Sequence, residues 1–354
     1  MTVTYHAGRR IQGLDSDRTA TQLPSGSVGG WVELGRHTLT SNSGTLDVSN
    51  LADKKYLMII YNRLGNTGTG TNALLRFNND STAGNYYGRE SINGGTDGVR
   101  QTNETSFYYF PNHSSGNDNG FAVSFFANKS GEDKLGISWQ VVDDVGSGAG
   151  SVQDRAEFVY KWQSTDVIDQ VTVFNATNSF TTGSELIVLG FDPSDTHTTN
   201  FWEELVNITP SSPTDNLNSG TFTAKKYLMF SLYCDANVSG APFMAFNGTG
   251  GSAQYNRRRE YDNTSEYTNG LESYFYPYAT GQAYPKYVFG FIVNNQNNEK
   301  FLICWTNEST SGVPSRIEFT GKWANTTNQI TSIEVGGAPN YYGTNANFTV
   351  WGAD

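Results

Sequence analysis

Arg155-Ala-Glu-Phe-Val-Tyr-Lys161-Trp162 and Arg316-Ile-Glu-Phe-Thr-Gly-Lys322-Trp323 are one strand written twice. Side chains alternate across a strand, so Ala156, Phe158, Tyr160 and Trp162 share one face and Arg155, Glu157, Val159 and Lys161 the other. In the second copy Ile317, Phe319 and Trp323 face in, while Arg316, Glu318 and Lys322 face out. Working outward, Lys54-Lys55-Tyr56-Leu57-Met58 returns as Lys225-Lys226-Tyr227-Leu228-Met229. Trp31 answers Trp202, Phe77-Asn78 answers Phe246-Asn247, and Trp139 answers Trp305. The pair Arg89-Glu90 is set against Arg259-Glu260, and Tyr108-Tyr109-Phe110-Pro111 against Tyr274-Phe275-Tyr276-Pro277. Val188-Leu189-Gly190 and Val350-Trp351-Gly352 close the copies. A duplication over such a length fixes the organisation before any role is assigned. It predicts an arm over 1–30, a repeat over 31–192, a polar linker over 193–201 and a second repeat over 202–354. Positions shared by both copies read as fold, and positions that differ are free for function.

Each copy reads as β. The segment from Tyr56 to Tyr61 is continuously apolar, as in a central strand covered on both faces. Leu135, Ile137 and Trp139 alternate with Gly136, Ser138 and Gln140, and Gly, Asn, Ser and Thr clusters punctuate the runs. No stretch carries a helical period. The fold class expected is all-β: two tandem jelly-roll-type β-sandwich domains, about ten strands each, behind an extended N-terminal arm.

A net charge of −11, spread along the chain, argues against a nucleic-acid or anionic-membrane partner. The N-terminus lacks the apolar core of a secretory signal, so synthesis in a cytoplasm is expected, and sequons such as Asn112-His-Ser, Asn237-Val-Ser and Asn325-Thr-Thr are expected to stay unmodified. Cys234 and Cys304 stand where the first copy has Arg63 and Ser138. The fold does not require them, and buried free thiols are expected in preference to a disulfide.

The chain is similar to structural proteins of tailed phages and related, mostly marine, viruses. The segments that carry the resemblance are His6-Ala-Gly-Arg-Arg-Ile-Gln-Gly13, Gly26-Ser-Val-Gly-Gly-Trp31, Arg76-Phe-Asn-Asn-Asp80 running to Asn85-Tyr86-Tyr87, and Ala324-Asn-Thr-Thr-Asn-Gln-Ile-Thr-Ser-Ile-Glu-Val335 ending in Phe348-Thr-Val-Trp-Gly352. It implies a virion component with sandwich domains and carries over no catalytic residue.

Catalytic chemistry has no constellation to rest on, and no cofactor or metal is expected. Asn78-Asn79-Asp80 is oxygen-rich, but turn chemistry explains it better than calcium does. Asp143-Asp144 and Glu203-Glu204 read as solvated loop ends, and His6, His37, His113 and His197 stand apart. Gly146-Ser-Gly-Ala-Gly-Ser151 reads as a mobile hairpin tip. The stripes Arg155/Glu157/Lys161 and Arg316/Glu318/Lys322 read as a solvated strand face, with contact to a neighbouring subunit as the alternative. Two Tyr/Arg loops remain as candidate partner or glycan contacts: Tyr86, Tyr87 and Arg89 in the first copy, and Tyr255, Arg257, Arg258 and Tyr261 in the second. In the arm, Arg9, Arg10 and Ile11 are expected to anchor the protein to another chain. The function expected is a non-enzymatic structural protein on a virion exterior, associated with capsid or tail and with other virion proteins, self-assembling as a trimer or lattice. A host-surface glycan adhesin is the alternative.

Overall fold

The computed structural model describes residues 30–354 apart from the segments 69–71, 111–116, 194–199, 236–238, 241, 263–264, 279–282 and 311. The arm, with Arg9, Arg10 and Ile11, and most of the expected linker lie outside the described residues. The first sandwich comprises β1 Val32–Thr38, β2 Thr45–Ser49, β3 Tyr56–Arg63, β4 Ala73–Phe77, β5 Tyr86–Ile92, β6 Gly98–Glu104, β7 Phe107–Phe110, β8 Asp118–Ala127, β9 Lys134–Asp144, β10 Asp154–Trp162, β11 Gln170–Asn175 and β12 Glu185–Phe191. The second comprises β13 Glu203–Ile208, β14 Asn216–Asn218, β15 Tyr227–Cys234, β16 Phe243–Phe246, β17 Tyr255–Tyr261, β18 Ser265–Glu272, β19 Lys286–Val293, β20 Lys300–Glu308, β21 Ser315–Trp323, β22 Ile333–Gly336 and β23 Asn347–Ala353. Among the described residues the two sandwiches have twelve and eleven strands, against about ten expected in each.

The chain is all-β, and both sandwiches are of jelly-roll type. A large antiparallel sheet runs β1-β12-β3-β8-β9-β10-β5-β6 in the first and β13-β23-β15-β19-β20-β21-β17-β18 in the second. The small sheets run β2-β11-β4-β7 and β14-β22-β16. Between large and small sheets lies each core. Tyr86 and Trp162 stack at 6.4 Å in the first, and Tyr255 and Trp323 at 6.5 Å in the second. Edge-to-face contacts of Phe77 with Trp162 and of Phe246 with Trp323 extend the two clusters. Asn78 and Asn247 adopt left-handed φ of 50° and staple a loop by the same device. Asn78 Oδ1 accepts from the N–H of Asp169 and Gln170, and Asn247 Oδ1 from those of Thr331 and Ser332.

Two registers differ from the sequence alignment. Phe107 and Phe275 each pack on the core Tyr at 4.8 Å, so Phe275 answers Phe107, and Phe110 answers Tyr278. In β17, Arg258 pairs with Thr320 as Arg89 pairs with Val159. Arg258 is therefore the counterpart of Arg89, one residue away from the alignment of the Arg-Glu pairs. A slip of one residue exchanges the faces of a strand, so this correction decides which arginine meets what.

The two large sheets meet outer face to outer face. Met58, Ile60, Phe121, Val123, Val141, Ile187 and Leu189 form one apolar cluster with Trp202, Tyr227, Met229, Phe291, Val293, Phe301, Ile303 and Ala353. The described residues thus form four layers and three cores. Continuous apolar strands such as β3 follow directly: odd positions fill the sandwich and even positions fill the joint between sandwiches.

Candidate functional site

Arg155, Glu318 and Lys322 of the charged stripes lie at this joint, which overturns their reading as a solvated face, whereas Lys161 and Arg316 stay at the surface. Arg155 is 3% exposed. Its guanidinium bridges Glu157 at 3.3 Å within its own strand, and Glu260 at 2.5 Å and Glu318 at 3.0 Å from the second sandwich. Lys322 is fully buried, with Nζ 2.5 Å from Asp143, 3.7 Å from Glu299 and 2.6 Å from Ser147 Oγ. Asp143 is therefore a buried counter-ion, while Glu203 and Glu204 are exposed but belong to strand β13 and not to a loop end. Arg258 reaches across to Asp154 at 3.2 Å and the Gln153 carbonyl at 2.7 Å, and bridges Glu266 at 2.7 Å. Asn62 and Asn295 exchange a pair of amide hydrogen bonds at 2.9 Å. Glu185 accepts from Tyr227 at 2.8 Å and pairs with Lys226 at 3.0 Å. Burial alone would raise the Glu185 carboxyl, but Lys226, Thr38 and Tyr227 hold it below its ordinary value.

The glycine-rich hairpin tip is a docked element. Gly148 N–H donates to Glu299 at 2.8 Å, Leu271 N–H donates to the Ala149 carbonyl at 3.0 Å, and Asn256 donates to the Ser151 carbonyl. Left-handed φ at Gly146 and Gly148 lets the backbone lie against the second sandwich.

A polar cleft of about 1020 Å³ opens beside the joint. Its walls include Arg89, Asp97, Glu157, Glu260, Arg316 and Glu318, with Trp139 among the remaining lining residues. Burial pushes the Glu157 carboxyl up to about 8, against the pull of Arg155, because Glu318 and Glu260 crowd it. Glu157 and Glu318 hold equivalent places in the two repeats.

Cleft and joint together receive some of the sequence candidates and not others. Tyr86 and Tyr255 are fully buried core residues, so neither is a surface contact. Their inward position follows from the strand period, since each pairs with an inward Trp. Arg258 belongs to the joint. Arg257 stacks on Tyr276 at 4.8 Å beside Glu272, and Tyr261 is half-buried against Ser315. Tyr87 lies on the outer face under Lys161, and Arg89 is exposed at the cleft margin. Sequence reasoning missed Asp143, Glu185 and Glu299 as counter-ions, and the Trp139–Trp305 contact at 4.3 Å. Two tryptophans at equivalent outward positions were the available signal.

Asn78-Asn79-Asp80 is a turn. The Asp80 carboxylate accepts from Trp162 Nε1 at 2.8 Å and Asn85 at 2.7 Å. Cys234 and Cys304 are both buried and are not joined in a disulfide. Among the described residues no group of three His, Cys, Asp or Glu side chains is arranged to hold a metal, and no helix is long and apolar enough to cross a membrane.

No protein-family model matches the chain, and no curated protein matches it in sequence. Among solved structures it is similar to the mouse laminin alpha1 chain, domains LG4-5, at 10% identity and TM-score 0.18, over 92% of this chain and 89% of that one. It is also similar to the LG1-3 region of the laminin alpha2 chain, at 10% identity and TM-score 0.19, over 90% of this chain and 62% of that one. The attachment invasion locus protein Ail of Yersinia pestis follows at 6% identity and TM-score 0.14, over 76% and 97%. Scores this low carry no functional argument, and strand order alone describes the fold.

Proposed function

We propose that this chain is a non-enzymatic structural protein of a virion exterior, a stiff block presenting broad β-sheet surfaces to neighbouring virion proteins. The observation that carries the structural role is the joint. An apolar cluster and buried ion pairs bind two sandwiches face to face, as suits a part that bears load and does not need to flex. The virion setting rests on the sequence resemblance. Antibody raised to the purified chain should detect it in density-purified particles from the source, and its absence from every particle-bearing fraction would overturn the reading.

The cleft favours a second reading, a carbohydrate-binding adhesin. Carboxylates and guanidinium groups near an indole are the groups that hold sugar hydroxyls. A glycan array with the purified chain separates the two, because a structural block should bind no glycan in a manner sensitive to Arg316→Ala.

A further inference from the structure

Among the described residues, the outer face of the first large sheet is only half covered. Its uncovered half carries Leu135, Ile137 and Val159, which are 57%, 42% and 50% exposed, with Val99 at 62% and Tyr87 beside them. The patch continues through Gly136 to Phe125, Tyr56 and Trp31. Arg89 and Ile137 line both this patch and the polar cleft, so the patch runs directly into the established joint. Soluble proteins seldom leave contiguous apolar surface of this kind without a partner.

The second repeat shows what such a surface is for. Strand register makes Phe301, Ile303 and Thr320 the counterparts of Leu135, Ile137 and Val159, and all three are buried against the first sandwich. Lys322 and Arg258, counterparts of Lys161 and Arg89, are ion-paired across the joint. In this fold, then, this half of the outer face packs on the outer face of a homologous sandwich.

A second copy of the chain can supply such a face in two ways. Stacking head to tail would use the uncovered half of the second large sheet. That half carries Tyr233, Tyr287 and Asn307 where the first repeat has Asn62, Phe121 and Val141. It also carries Ser309, Ser315 and Asn347 where the first repeat has the counter-ions Asp143, Asp154 and Glu185. Head-to-tail contact would lose these three counter-ions and exchange apolar contacts for polar ones. The patch itself is apolar and carries charge of both signs at its rim, with Arg89 and Lys161 against Asp133 and Asp97. We infer that two copies of this chain pair patch to patch about a two-fold axis, through Leu135, Ile137 and Val159. Such an isologous contact closes on itself and gives a dimer, not a filament.

Sedimentation velocity of the full chain, from about 1 to about 100 µM, tests this. A monomer–dimer equilibrium is expected, and Val159→Arg or Ile137→Glu should raise the dimer Kd at least about 100-fold by burying a charge at the centre of the contact. Tyr287→Arg, on the opposite half of the block, should leave it unchanged. Val159→Cys supplies a second readout, since both native thiols are buried: a short bismaleimide should join two copies through this one site. Any of four results overturns the inference. They are a monomer throughout, an open ladder of species that Tyr287→Arg abolishes, a dimer indifferent to both patch substitutions, or a dimer that forms only after residues 2–24 are deleted. The last would mean that the arm covers the patch. A monomeric protein would leave the virion reading intact, because particle fractionation reads that separately.

Discussion

Lys161 and Lys322 close the same strand in the two repeats and sit in opposite surroundings. Lys161 lies at the surface, 3.3 Å from Asp133 and over the Tyr87 ring at 4.9 Å. Lys322 is sealed in the joint against Asp143 and Glu299. The local sequence around the two is nearly the same, so the difference is made by what lies opposite. A duplicated fold gives each half the same face, and only the partner decides whether that face is solvent boundary or core.

The largest test of this contrast is truncation of each lysine. Lys322→Ala leaves Asp143 buried without its counter-ion and should cost about 3–5 kcal/mol in urea unfolding. Lys161→Ala should stay within about 0.5 kcal/mol, since an exposed pair is screened and mobile. Equal costs at the two sites would break the contrast. A middle-sized effect separates the tryptophan anchors inside the cores. Asp80 accepts from Trp162, whereas Gln254 accepts from Trp323 at 3.2 Å. Burial would raise Asp80, but donors from Asn85, Thr82 and Trp162 outweigh it and hold the carboxyl low. Asp80→Ala should therefore cost about 1–3 kcal/mol, and Gln254→Ala about 1 kcal/mol or less. The Asp80 contribution is present above its unfolded pKa and should fade as pH falls through the folded one.

A pH-dependent effect concerns the cleft carboxyl Glu157. Glu157 titrates higher in the folded chain than in the unfolded one, so the folded state binds more protons between the two values. Stability from this group is present in acid and declines as pH rises from its ordinary range through about 8. Glu157→Gln should flatten that part of the melting-temperature profile and raise the melting temperature at pH above 8. An unchanged slope would show that burial does not raise the Glu157 carboxyl.

Much of the fold was legible because the duplicated strands each pair a two-residue period with an inward tryptophan. Face assignments for Phe158, Phe319, Trp162 and Trp323 followed from that period alone. The outward residues were harder. Period says that Arg155 and Lys322 leave the core, and it cannot say that a second sheet waits outside. Asp143 looked like a loop end because its counter-ion lies far along the chain. The β17 register escaped because Arg257-Arg258-Arg259 offers three matches for Arg89, and only strand pairing chooses among them. Composition at Tyr86 and Tyr255 suggests an interface, yet each stands opposite an inward tryptophan and is core.

The contact between Trp139 and Trp305 has an optical consequence. Two indoles at 4.3 Å and an interplanar angle of 64° couple their electronic transitions, one contributed by each repeat. Their signed circular-dichroism couplet would exist only while the two large sheets touch. The chain therefore carries, without any added dye, a signal that distinguishes separation of the sandwiches from melting of either one.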